Sequence, residues 1–291
     1  MMNDKKPLVS ICCISYNQEK YIRETIEGFL IQKTNFPVEI IIHDDASTDA
    51  TAKIIQEYAT QHPELFVTIL QNENQWSKGG GSIFARFVFP KASGKYIALC
   101  EGDDYWTDPY KLQKQVDFLE ENEDCSLCFH ASKHVNTNNP EKFHVHHPKI
   151  IPTDYKFEMK HVILGGGGFM ATNSMVFLKE HIMERPEWMD KVPIGDLPLM
   201  LLLASKGKIG YVDDVMSVYR IMSSSTSWSA SMQNQNRAKK HHYAILKMWS
   251  DFDNWTNRKY HKYVLKKMLK NRWNHQKSSI KYILKSLINK S

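Results

Sequence analysis

The chain has 291 residues, 42% of them hydrophobic and 24% charged, with 38 Lys+Arg against 32 Asp+Glu. That composition belongs to a globular protein able to bury a sizeable core, and it excludes an intrinsically disordered chain. The apolar run 199–204 is far shorter than the ~20 residues that cross a bilayer. Residues 1–15 lack the pattern of a signal peptide, so a cytoplasmic protein is expected, with peripheral attachment at the inner face of the cell membrane as a variant of that reading.

Charge is unevenly placed. Residues 258–291 carry eleven Lys/Arg and no Asp or Glu, while the other 257 residues hold 27 basic and 32 acidic side chains, net −5. A mildly acidic body therefore ends in a strongly basic tail. The five cysteines are too few for a disulfide framework, and Cys125 and Cys128, although spaced CxxC, sit in a strand-like apolar stretch; reduced core thiols are expected.

Residues 8–14 form a compact apolar run, and 18–33 follow as a helix with Ile22, Ile26, Phe29 and Leu30 on one face. A β-branched strand over 38–43 leads into a helix over 48–62. Then come a strand at 66–70, a helical stretch near 83–88, a strand at 95–100, a helix over 108–122 opened by Asp108-Pro109, and a strand at 126–131. This alternation predicts an α/β fold with right-handed crossovers and a mostly parallel sheet, which places ligands beyond the carboxyl ends of the strands. Beyond 131 the rhythm breaks. Residues 132–152 read as an irregular surface connection, 165–168 are four glycines before a strand-like 169–177, and 197–204 is a buried helix. Extended structure over 209–219, a Ser-rich loop over 221–231 and helix from 233 to the end complete the chain.

Chemistry concentrates at the strand ends. The first strand ends in Ser15-Tyr16-Asn17, without the glycines of a dinucleotide fold, which removes the main support for hydride transfer. The second ends in Asp44-Asp45-Ala46-Ser47-Thr48-Asp49, whose side chains can cap a helix or accept hydrogen bonds from a nucleobase or ribose. The fourth ends in Glu101-Gly102-Asp103-Asp104-Tyr105-Trp106. Three carboxylates within four residues repel one another unless a cation offsets them, and hard divalent cations favour carboxylate oxygen; taken alone, the turn reads as a solvated acidic loop.

The segment from Val9-Ser10-Ile11 to Tyr16-Asn17, then Asp44-Asp45-Ala46-Ser47-Thr48-Asp49, then Gly94-Lys95-Tyr96-Ile97-Ala98-Leu99 with Glu101-Gly102-Asp103-Asp104, resembles bacterial glycosyltransferase family 2. The resemblance covers roughly 7–130 and thins out towards 228. It implies a GT-A fold, Rossmann-like with flanking helices, a nucleotide-diphosphate sugar donor (a UDP-sugar is expected), Mn²⁺ or Mg²⁺, and inversion at the anomeric carbon. The implied division is a catalytic domain over 1–231, with a nucleotide-binding half at about 7–131 and an acceptor half at about 132–231, followed by a helical basic region over 232–291.

Carried over residue by residue, the resemblance puts Asp45 at the nucleobase, beside Asp44 and a pocket of Ser15, Tyr16 and Asn17. Asp103 would neighbour the ribose or diphosphate and the metal, with Asp104 as the metal ligand and Arg86 and Trp106 among the donor contacts. Ile194-Gly195-Asp196-Leu197-Pro198 resembles the segment that ends in the catalytic carboxylate, so Asp196 is the expected general base, ahead of Asp213 and Asp214; helix capping is its alternative role. Tyr219-Arg220 resembles the segment that closes over the diphosphate, although Met222 stands where many relatives have histidine. Arg272-Trp273 occurs without the glutamine of the processive signature, since position 269 is Leu, and a non-processive enzyme is expected.

The acceptor implied is a glycan or lipid-linked hydroxyl in surface polysaccharide synthesis. Two other classes share some of these features. Sugar-phosphate nucleotidyl transfer lacks its Gly-rich basic loop here, and a non-catalytic membrane- or nucleic-acid-binding module led by the tail is at odds with three acidic strand ends. No nucleic-acid partner is expected; an anionic membrane surface for 258–291 and a homo-oligomer remain open. The histidines at 130, 134, 144, 146 and 147 fit no standard zinc spacing and read as a polar loop. The four glycines suit close backbone approach to an acceptor, and Trp228, Trp249, Trp255 and Trp273 read as packing residues or sugar platforms.

Overall fold

The computed structural model describes residues 6–79, 81–222 and 234–288. Its elements are β1 (Val9–Ser15), α1 (Ile22–Leu30), β2 (Val38–Asp44), α2 (Thr51–Gln61), β3 (Phe66–Leu70), β4 (Tyr96–Glu101), β5 (Tyr105–Trp106) and α3 (Lys111–Glu121). They continue with β6 (Cys125–Asn136), β7 (Asn139–His146), β8 (Lys156–Phe157), α4 (Met159–Gly165), β9 (Val176–Leu178), α5 (Asp196–Lys206), β10 (Lys208–Ile221), α6 (Gln235–Trp255) and α7 (His261–Ile288).

One sheet runs β3-β2-β1-β4-β9-β6-β10-β5, with β7 on β6 and β8 on β10. Pairing is parallel through β3, β2, β1 and β4 and between β6 and β10. The short β9 runs antiparallel between β4 and β6, and β5, β7 and β8 are also antiparallel, so the sheet is mixed where the sequence pattern reads as mostly parallel. β1 lies inside the sheet between β2 and β4 and is buried on both faces. Alternate side chains serve two cores: Val9, Ile11 and Cys13 pack with α1 and α3, while Cys12 faces the core of α5, Phe84 and Val88, as the period of two along a strand requires.

Three stretches differ from the sequence pattern. The connection expected over 132–152 is instead the end of β6 paired with β7 in a hairpin; β7 is an almost fully exposed edge strand whose apolar alternation is only Phe143 and Val145, among Asn, Pro, Glu, Lys and His. The strand-like 169–177 is a 3₁₀ turn at Thr172–Ser174 followed by the three-residue β9. The helical stretch near 83–88 is a π turn, Phe84–Val88. The Ser-rich loop beyond Met222, with Trp228, lies outside the described residues.

The C-terminal helices are packed against the body. Met248, Trp249 and Phe252 of α6 and Val264 of α7 belong to the same buried core as α5. Lys267 donates to the carbonyls of Leu164 and Gly165 at 3.1 and 3.0 Å, which satisfies acceptors left open at the end of α4. Among the described residues, no helix is long and apolar enough to cross a membrane. All five cysteines are buried and unpaired.

Candidate active site

The carboxyl ends of β1, β2 and β4 open onto two neighbouring cavities. The larger, about 630 Å³, is lined by Ser15, Tyr16, Gln18, His43, Asp45, Asn74, Trp76, Glu101 and Asp103, among others. The second, about 290 Å³, reaches from Glu101 to Asp196, Arg185 and Tyr219. Ile14, Trp76, Ile83 and Glu101 line both, so Glu101 and Trp76 stand where the two spaces meet.

The loops after β1 and β2 hold each other. Asn17, in the left-handed region at φ 53°, accepts from the Thr48 amide at 2.8 Å, and its own amide donates to Ser47 Oγ at 2.9 Å. Asp44 accepts from the Ser47 amide and hydroxyl at 2.9 and 2.5 Å and from Ser15 Oγ at 3.3 Å. Asp44 and Asn17 thus fasten the rim, whereas Ser15 and exposed Tyr16 line the larger cavity. Asp45 also lines it, yet its carboxylate accepts the amides of Gln75 and Trp76 at 2.7 and 3.0 Å. Arg86 supports the same loop, donating to the carbonyls of Gly79 at 2.7 Å and Gln75 at 3.3 Å. Trp76 is thereby held at the junction of the cavities.

The acidic turn is built by close approach. A Cβ at Gly102 would fall 3.0 Å from Ser15 Cβ and collide with the Gln18 side chain, so only glycine lets the turn lie against the β1 loop. Thr25 Oγ1 pins it from α1, donating to the carbonyls of Gly102 and Asp104 at 2.9 and 2.6 Å. Carboxylate oxygens of Glu101, Asp103 and Asp104 then lie within 4.8 Å of one another. Burial pushes Glu101 up to about 8, with the charges of Asp103 and Asp196 adding to the rise. Asp103 is raised by burial, opposed by its own amide and by Arg220. Burial, then the Asp103 charge, takes Asp104 well above the carboxylate range, against the pull of the Arg220 amide. A divalent cation would relieve this crowding, and hard carboxylate oxygen fits Mg²⁺ or Mn²⁺.

The trio divides by orientation. Glu101 and Asp103 face the larger cavity. Asp104 is buried, and each of its oxygens already accepts a hydrogen bond, from the Arg220 amide at 2.8 Å and from Asn173 Nδ2 at 3.1 Å. Trp106 does not reach either cavity: it is buried against Phe29 with its indole nitrogen donating to the Asn173 carbonyl at 2.9 Å. Arg220 is folded onto the turn, donating to the Asp103 carbonyl at 2.6 Å, pairing with Glu24 and lying 4.3 Å from the Tyr105 ring centroid. Tyr219, its neighbour, points the other way and lines the second cavity.

Asp196 opens α5 with no capping bond from its predecessor. Burial raises its carboxyl above the usual range, opposed by the amides of Leu197 and Asp196 itself and by His241 of α6. The glycine run passes beside it: a Cβ at Gly167 would come 3.6 Å from Asp196 Oδ2. Asp213 and Asp214 are engaged elsewhere, the first by the Tyr211 hydroxyl at 2.8 Å and the second by Lys114 at 2.7 Å, at a register shift in β10. Glu101, His43, Trp76, Arg185 and His241 were not singled out from sequence. Only Glu101 carried a signal, as the first of three clustered acids.

The profile of glycosyl transferase family 2 matches residues 10–185. The chain belongs to this family. An uncharacterized protein of Mycobacterium tuberculosis is 40% identical over 218 residues, 73% of this chain and 58% of that one, so the chain spans little more than half the length of that relative. TuaG of Bacillus subtilis, named for teichuronic acid biosynthesis, is 29% identical over 79% of this chain and 86% of its own. Among solved structures, S. aureus TarS in complex with UDP-GlcNAc superposes with a TM-score of 0.59 over 84% of this chain and 66% of that one, at 16% identity. A mannosyltransferase of Pyrobaculum calidifontis in complex with GDP-Man and Mn²⁺ gives 0.54 over 85% of this chain and 64% of that one, at 14% identity. These likenesses show that the chain has a GT-A fold.

Proposed function

We propose that this chain is an inverting, non-processive glycosyltransferase that moves a sugar from a nucleotide-diphosphate donor, a UDP-sugar in our reading, to a hydroxyl of a glycan or lipid-linked acceptor in surface polysaccharide synthesis. The observation that carries the reading is the pair of cavities meeting at Glu101, one bounded by Asp103 and the other by Asp196. In this reading the larger cavity takes the nucleotide between Tyr16, Asp45 and Trp76. Glu101 and Asp103 hold the divalent ion, and Asp104 positions their turn through its bonds to Arg220 and Asn173. The ion supplies charge neutralisation of the departing diphosphate. Asp196 accepts the acceptor hydroxyl proton, a role for which a carboxyl shifted towards neutrality is suited. Tyr219, whose phenol is raised by burial and by the acidic groups around it, stays protonated and donates within the same cavity.

A membrane-facing role for α7 is part of the proposal. Leu265, Leu269 and Trp273 recur every four residues and are exposed at 45%, 65% and 58%. They form an apolar stripe on a helix whose charged residues are all basic. That pattern favours an anionic bilayer surface, at ~1 kcal/mol per Lys or Arg near it.

A panel of nucleotide sugars offered with a lipid-diphosphate acceptor tests the function. Release of free nucleoside diphosphate that requires both acceptor and Mn²⁺ or Mg²⁺ is expected. Release of pyrophosphate from a nucleoside triphosphate and a sugar phosphate would overturn it in favour of nucleotidyl transfer.

A further inference from the structure

The β6–β7 hairpin gathers histidines that play no part in the reading above. Its register sets His134 opposite His144 and Ser132 opposite His146, and β10 sets Tyr219 beside His134. Residues two apart on a strand share a face, so His144 and His146 stand on the side that His134 occupies. The His134 ring centroid lies 5.0 Å from that of His144 and 4.8 Å from that of His146. One nitrogen from each of the three comes within 4.8 Å of the other two. Among the described residues, this cluster and the acidic trio are the two groups of three metal-binding side chains, and they share no member.

We propose that His134, His144 and His146 form a three-imidazole site for a first-row transition ion such as Zn²⁺, separate from the carboxylate site and open to solvent at its fourth position. Ligand chemistry separates the two sites, since imidazole nitrogen suits zinc, nickel and copper while carboxylate oxygen suits magnesium and manganese. Cross-strand neighbours stand about 4.5–5.5 Å apart at Cβ, so side-chain rotation alone can bring three ring nitrogens to the ~2 Å metal distance that zinc requires. His134 Nε2 shares a hydrogen bond with Ser132 Oγ at 3.0 Å. Such partners orient imidazole ligands. His144 is exposed, which leaves the approach and the fourth coordination position to water.

The test is a Zn²⁺ titration of the chelator-stripped full-length protein against a chromophoric competitor, with excess Mg²⁺ present to occupy the carboxylate site. The proposal expects one bound Zn²⁺, with affinity falling at least ~10-fold in His144→Ala and unchanged in Asp103→Asn. Co²⁺ in place of Zn²⁺ should give the visible absorption of a four-coordinate site, and that absorption should vanish in His144→Ala. Because His144 is exposed, its truncation leaves the fold intact, as circular dichroism would verify. Failure of the wild-type protein to bind Zn²⁺, equal binding by wild type and His144→Ala, or loss of Zn²⁺ with Asp103→Asn would each overturn the site.

Discussion

The amide of Arg220 donates to Asp104 Oδ1 at 2.8 Å, while the Arg220 side chain donates to the Asp103 carbonyl at 2.6 Å. The end of β10 is thus bolted to the acidic turn between β4 and β5, and the two aspartates divide their work: Asp104 faces its donors, Asp103 faces the cavity.

That division predicts opposite phenotypes for adjacent substitutions. Asp104→Asn turns an acceptor towards the Asn173 amide into a second donor, and a buried unmatched polar group costs about 1–3 kcal/mol. A clear drop in the urea midpoint is expected. Asp103→Asn, at the cavity wall, should stay within about 0.5 kcal/mol of wild type while losing metal-dependent transfer. Equal stability of the two variants would refute the assignment.

Lys111 gives a pH signature. It is fully buried, its ammonium lies 4.0 Å from the Trp106 ring centroid, and it has no hydrogen-bond partner among the described residues. Burial lowers it to about 7 from 10.5. Between those values the unfolded chain holds a proton that the folded chain has released, so this group makes stability rise with pH across that window, by up to ~1.4 kcal/mol per unit. Below pH 7 its penalty is fully present. Lys111→Met should therefore raise the thermal midpoint at pH 7, with the gain shrinking towards pH 10; no gain at pH 7 would contradict the burial argument.

Trp76 is placed by Asp45, which accepts its amide at 3.0 Å. Trp76→Ala should weaken nucleotide-sugar binding by roughly tenfold, the loss of about 1–1.5 kcal/mol of aromatic contact, and leave the fold unchanged. Asp45→Ala should weaken binding as well and also expose residues 73–79 to protease. Protection of that loop in the variant would show that the Asp45 bonds do not hold it.

Leu265→Ser, Leu269→Ser and Trp273→Ser combined should abolish binding to anionic vesicles at low salt while sparing the buried Val264 face and catalysis on a water-soluble acceptor. Unchanged sedimentation with vesicles would remove α7 from membrane contact.

The parallel half of the fold was readable because β1, β2 and β4 are buried on both faces and appear as unbroken apolar runs ended by polar turns. β7 was not, since its apolar alternation is limited to exposed Phe143 and Val145 within a polar stretch. The site residues at strand ends were readable as types but not as orientations. Asp104 and Trp106 sit one and three residues from Asp103, and only the bonds made by Asn173 and Arg220, far along the chain, turn them inward. Trp76 and Arg185 come from loops that tertiary packing alone brings to the cavities. Asp196 was legible as the residue that opens a buried helix.

The most direct test pairs two measurements on Asp196→Asn: nucleotide affinity and transfer rate in one preparation. The substitution keeps the shape at the start of α5 but removes the proton acceptor, and loss of a general base costs ~10²–10⁴-fold in rate. With Glu101, Asp103 and the larger cavity intact, nucleotide affinity should stay at its wild-type value while transfer falls by that factor. Transfer at the wild-type rate would contradict the account, and so would an equal loss of binding and transfer, which would make Asp196 a part of the scaffold.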